Sequence, residues 1–184
     1  MNLIFGFAPF IAFFVLMRLA TPLPALAAAF VISAYSMFRV YWRGESIKIL
    51  DIGSLALFAA MTLYTVVAHP GWSIGGVKLV VDAGLTLIAG ISMAIRQPFT
   101  LQFAKEQVPE QYWSTPRFHR ANQLISGAWT ASFALATACD AAATYVPAVP
   151  LWLEVVLSTA GLAGAVWFTF WYRDRARRAV VVAP

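Results

Sequence analysis

Residues 49–68 read ILDIGSLALFAAMTLYTVVA, with one charged residue, Asp51, near the start. A helix of about 20 residues rises 1.5 Å per residue and crosses the roughly 30 Å of hydrocarbon in a bilayer. The stretch therefore predicts a transmembrane helix, and Asp51 suits the N-terminal end of its dipole. Apolar stretches at 23–42, 77–95, 121–139 and 151–172 repeat the pattern. A further stretch, 3–17, is short and is interrupted by Pro9, which predicts a tilted, truncated or re-entrant helix.

The expected fold is all-α: a polytopic transmembrane bundle of five to six helices, with one longer cytoplasmic loop at 96–120. Composition agrees, since 61% of the chain is hydrophobic, 11% is charged and the mean hydropathy is +0.74, whereas a soluble domain is about a quarter charged. Spanning helices of about 20 residues use up the 184 residues, so the chain reads as a single integral membrane domain over 1–184. No Lys or Arg precedes the 3–17 stretch and a second apolar run follows it directly, so it reads as retained and not as a cleaved signal.

The net charge of +5 and pI near 9.7 do not point to nucleic acid, because the basic residues cluster beside apolar runs and form no basic face. Arg39, Arg43 and Lys48 lie in one connection, Arg96, Lys105, Arg117 and Arg120 in another, and Arg173, Arg175, Arg177 and Arg178 follow the last helix. Only Arg18 and Lys78 lie opposite. The positive-inside rule then places both basic loops and the C-terminus in the cytoplasm. Trp42, Trp72, Trp113, Trp152 and Trp171 fall at or near helix ends, where indole anchors at the headgroups. Small residues inside the helices, including Ala25 to Ala29, Gly84, Gly90, Ala134 to Ala143, and Ala160 with Gly164, permit close helix contact.

The 96–120 connection reads RQPFTLQFAKEQVPEQYWSTPRFHR. Pro98 suits the start of a short helix, with Phe99 and Phe103 expected to dip into the lipid interface while Lys105, Glu106 and Glu110 stay in water. Arg96, Phe99, Phe103, Arg117, Arg120 and Asn122 are the candidate contacts to lipid phosphates or to a partner.

No nucleophile, acid and base set, phosphate loop or His-x-x-x-His pair occurs, and the sequence implies no catalytic residue, cofactor or metal. His69 and His119 fall on opposite sides of the membrane in this topology. The lone Cys139 excludes an intramolecular disulfide and a cysteine metal framework. Four residues near the outer helix ends, Lys78, Asp82, Asp140 and Glu154, are the candidate ligand-binding set. Lys78 and Asp82 share a helix face, and an acid inside a membrane helix calls for a partner or a function. A structural pair that orients its helix, with Lys78 reaching outward, and a ligand site are both open.

The N-terminal FGFAPFIAFF (Phe7, Pro9, Phe13, Phe14), the basic turn after the second helix, Lys78 after a Trp-containing outer turn, Arg96 with Pro98, and Asn122 with Trp129 together resemble the intracellular septation protein A family. Asn122 and Trp129 are spaced more widely than in that family, and the 96–116 segment is longer, a pattern that also fits a sister family of small bacterial inner-membrane proteins. The resemblance implies a multi-pass bacterial inner-membrane protein linked to septation or envelope synthesis through protein contacts. The expected partners are membrane lipids and a membrane protein or a second copy of the chain. A small transporter or binder of an apolar or cationic ligand, using the outer acids, is the alternative.

Overall fold

Proline marks where helices begin. Its missing N–H and fixed φ suit the first helical turn, and Pro22 and Pro116 each open a helix while Pro9 sits in the first turn of another. Pro98 and Pro150 stand immediately before two more. The computed structural model describes residues 6–146 and 148–181, with side chains described as far as Arg175. Its elements are α1 (Ala8–Leu16), α2 (Pro22–Trp42), α3 (Ile49–Ala68), α4 (Ile74–Ala94), α5 (Phe99–Lys105), a 3₁₀ turn (Glu110–Tyr112), α6 (Pro116–Tyr145) and α7 (Leu151–Val181). Among the described residues the structure is all helical, without a strand.

Four of these helices are long and apolar enough to cross a membrane: α2, α3, α4 and the Leu151–Arg175 part of α7. The 30 residues of α6 rise about 45 Å, but they are less apolar. The nine residues of α1 rise only about 14 Å; positions 3–5 of the expected 3–17 helix lie outside the described residues.

The chain folds as two units, one ending at Ile88 and one starting at Ala89. In the first, Phe10 and Phe13 of α1 meet Phe58 of α3 at ring-centroid distances of 5.1 and 5.8 Å. The α2 face that turns inward is built from small side chains, with Ala25, Ala29 and Ser33 buried together with Leu26. Between α3 and α4 the chain approaches closely. A Cβ on Gly53 would stand 2.7 Å from Ile88 Cγ1, and one on Gly84 would stand 2.5 Å from Leu57 Cδ1. A side chain at either position would force the facing Ile88 or Leu57 side chain to shift.

The start of α3 corrects one expectation. Lys48, read as a cytoplasmic loop charge, is fully buried at the helix N-cap. Its backbone N–H donates to Asp51 Oδ2 at 3.3 Å, and Asp51 is itself buried. The residue serves the helix terminus, where the dipole and an orphan N–H both favour a carboxylate.

In the second unit α6 and α7 form a helical hairpin and α5 packs against α6. The buried residues of α6 are Asn122, Ile125, Ser126, Trp129, Ser132, Phe133, Ala136, Cys139 and Asp140. Their spacing of three, one and three residues repeats every seven, which lines up one inward stripe. Much of that stripe is polar. The helix is therefore polar inside and less apolar overall than α2, α3, α4 and α7.

Candidate functional site

The polar stripe of α6 begins at a node that joins three helices. Phe99 and Thr100 open α5, so their backbone N–H groups have no partner within the helix. The Phe99 N–H donates to Ser92 Oγ of α4 at 3.2 Å, and the Thr100 N–H donates to Ser126 Oγ of α6 at 3.3 Å. The Thr100 hydroxyl donates to the Asn122 carbonyl at 3.1 Å and lies 2.7 Å from Ser126 Oγ. Asn122 Nδ2 in turn donates to the Phe118 carbonyl at 2.9 Å. Side chains from two helices thus cap a third inside the protein, where an unmet donor costs about 1–3 kcal/mol.

This arrangement corrects the expectation for the 96–120 connection. Phe99 and Phe103, expected in the lipid interface, are buried inside the protein at 1% and 2% exposure, and Asn122 is also buried. Packing of α5 on α6 encloses them. Arg96, Arg117 and Arg120 are exposed, so of the six proposed contacts only the arginines present themselves outward. Arg96 closes α4 in the left-handed region, at φ 58°. Helix α6 also starts earlier than 121, because Thr115 caps it by accepting from the Phe118 N–H at 3.3 Å and Pro116 fills the first position. Glu106 and Glu110 are exposed as expected, while the Lys105 ammonium lies over the Trp113 ring at 5.2 Å.

Further along the hairpin, the Trp129 indole donates to Thr169 Oγ1 of α7 at 3.0 Å. Gly161 of α7 lies against α6 so closely that a Cβ there would stand 3.1 Å from Leu135 Cδ2 and 3.2 Å from Ser132 Oγ. From that crossing, Asp140 is eight residues toward the hairpin turn on α6 and Glu154 is seven residues toward it on α7. The two acids therefore stand at nearly the same height, and both are buried, at 3% and 7% exposure. Of the four expected site residues, these two share the α6–α7 seam. Lys78, half-buried, and Asp82, buried, lie four residues apart on α4 in the first unit.

The described residues hold no group of three or more His, Cys, Asp and Glu side chains able to bind a metal. His69 ends α3 in the left-handed conformation, at φ 43°, and His119 lies in the first turn of α6. Both are exposed. Cys139 is buried on the inward stripe of α6.

Most of α7 turns outward. Between Leu151 and Arg175 only Glu154 and Ala165 are buried. Trp152, Val156, Trp167 and Phe170 are each more than half exposed. On the same outward side Ala160, Ala163 and Gly164 are exposed, and a Cβ on Gly164 would meet nothing within 4 Å. A continuous apolar surface of this kind needs lipid or protein against it.

No protein-family model, curated protein or solved structure matches the chain.

Proposed function

We propose that the chain is a multi-pass inner-membrane protein of five transmembrane helices, α2, α3, α4, α6 and α7, that acts without catalysis through protein contacts. Its role is in septation or envelope morphogenesis, or as an accessory subunit of a membrane complex, with α1 packed on α2 and α3 within the bilayer. The observation that carries this is the outward face of α7. Large apolar side chains there flank Ala160 and Gly164 at a four-residue spacing, and small residues at that spacing let a second helix approach to backbone contact. Alanine and glycine add nothing to a purely lipid-facing surface. The septation-family resemblance supports the same assignment.

Purification in mild detergent tests it. The wild-type protein is expected to elute with a second membrane protein or as a homo-oligomer, and Gly164→Trp is expected to release it as a monomer. A strictly monomeric wild-type protein with nothing bound would overturn the assignment.

Orientation follows from charge. Without Lys48, which is buried at a helix cap, ten of the original eleven basic residues remain on the side of the C-terminus against Arg18 and Lys78 on the other, and basic flanks stay cytoplasmic.

A second reading, a small transporter or binder of an apolar or cationic ligand, draws support from the buried pair Asp140 and Glu154. Under that reading Asp140→Asn with Glu154→Gln abolishes function and leaves assembly intact. Under the first reading the outward face of α7 governs function, and the double variant with intact assembly retains it.

A further inference from the structure

The last two turns of α2 and its C-cap carry Tyr35, Phe38, Arg39, Trp42 and Arg43 along one stripe, and these five residues line an open furrow of about 220 Å³. That is below the roughly 300–1,000 Å³ of an enclosed small-molecule pocket, and every wall belongs to α2 or its C-cap. The three aromatic residues are 57–77% exposed, with the Phe38 and Trp42 rings 5.5 Å apart. A furrow open along its length and lined by rings and two guanidinium groups suits a ligand that enters sideways from a bilayer.

We propose that this furrow binds the headgroup phosphate of an anionic phospholipid in the leaflet facing the basic loops. The chemistry of the stripe is graded with depth. From Tyr35 to Arg43 the helix rises about 12 Å, so the rings at Tyr35 and Phe38 lie along the upper acyl chains while the guanidinium groups reach the phosphate. Arg39 and Arg43 are four residues apart and share a face. Guanidinium groups bind phosphate oxygens in a bidentate fork, and Trp42 sits at the interfacial level that indole prefers.

Glu45 gives the site a built-in competitor. Its Oε1 lies 3.9 Å from Arg43 Nη1, so a lipid phosphate displaces a carboxylate from that arginine. Removing the carboxylate should therefore tighten lipid binding, the opposite of what a purely structural ion pair predicts. The proposal rests on the membrane placement of α2 and is independent of the contacts proposed for α7.

Native mass spectrometry of the full-length protein in mild detergent, titrated with phosphatidylglycerol or phosphatidylcholine of matched chains, reads the effect. Phosphatidylglycerol is expected to be retained in preference. Arg39→Gln and Arg43→Gln should each weaken retention about fivefold, as expected for one basic residue at an anionic surface, and Glu45→Gln should strengthen it. Arg18→Gln, which removes one exposed charge on the opposite side of the membrane, is the control for overall charge and should change nothing. The Arg43 side chain is 60% exposed, so Arg43→Gln keeps the test open if the Arg39 variant does not fold. Equal retention of both lipids, an equal loss in the control, or displacement by millimolar inorganic phosphate would overturn the proposal. A partner that protects Arg43 in place of lipid, with no lipid preference, would do so as well.

Discussion

Trp129 of α6 and Thr169 of α7 are joined by a hydrogen bond of 3.0 Å from the indole N–H to the threonine hydroxyl. Thr169 Oγ1 also donates to the Ala165 carbonyl at 2.8 Å, which orients its lone pair toward the indole. Interhelical hydrogen bonds in membranes average about 0.6 kcal/mol and reach about 1.7. Trp129→Phe should therefore cost no more than about 2 kcal/mol, whereas Trp129→Ala also opens a cavity and should cost about 3–5 kcal/mol. Unfolding in mixed micelles, followed by circular dichroism, checks the order of the two.

Helix α3 meets α4 at Gly53 and Ile88. A Cβ at position 53 would stand 2.7 Å from both Cγ1 and Cγ2 of Ile88, and a β-branched side chain has little freedom to move away. Gly53→Ala should destabilise by about 1–3 kcal/mol, the usual range for overpacking. In an Ile88→Ala background the same change should be nearly neutral. A double-mutant cycle with no interaction energy would contradict this contact.

Thr100→Val keeps the shape of the side chain but removes the hydroxyl shared with Asn122 and Ser126. The acceptors left behind are buried, so a loss of about 1–3 kcal/mol is expected. Limited proteolysis is the sensitive measurement, because α5 is the element the node holds down. Faster cleavage within 96–115 is expected, and Ser114→Ala, at an exposed position, serves as the unchanged control.

Much of this architecture is legible in the sequence, and the misreadings share a cause. Helix α3 runs Ile49–Ala68, the bounds of its apolar stretch, because both of its ends meet polar residues. The apolar stretch of α6 starts only at 121, since Thr115 and Pro116 look like loop punctuation, although together they form a helix cap. The polar character of the 96–120 segment points Phe99 and Phe103 toward lipid, yet α6 offers α5 an inward stripe on which to bury them. Lys48 counts among the basic residues of a connection by sequence, and only the fold reveals its position at a buried cap. Hydropathy measures how apolar a segment is and carries no record of which face turns inward. The seven-residue spacing from Asn122 to Asp140 is a signal that would have found that face. The candidate acids stand out by chemistry, but their heights on the α6–α7 hairpin depend on a helix crossing at Gly161 that no single sequence displays.

Orientation has a direct check in a Cys139→Ala background, since Cys139 is the one native cysteine. A cysteine at Gly71, in the exposed turn after α3, should react with a membrane-impermeant maleimide in intact cells. One at Ser114 should react only after permeabilisation. The reverse pattern would invert the topology.

The most direct measurement is photo-crosslinking in native membranes from a benzoyl-phenylalanine placed in turn at Ala160, Gly164 and Trp167 on α7, with Val31 of α2 as the control. All four positions are exposed. Discrete protein adducts from the three α7 positions, with lipid adducts alone from Val31, are the predicted result. Lipid adducts alone from all four positions would contradict a protein that works through the outward face of α7.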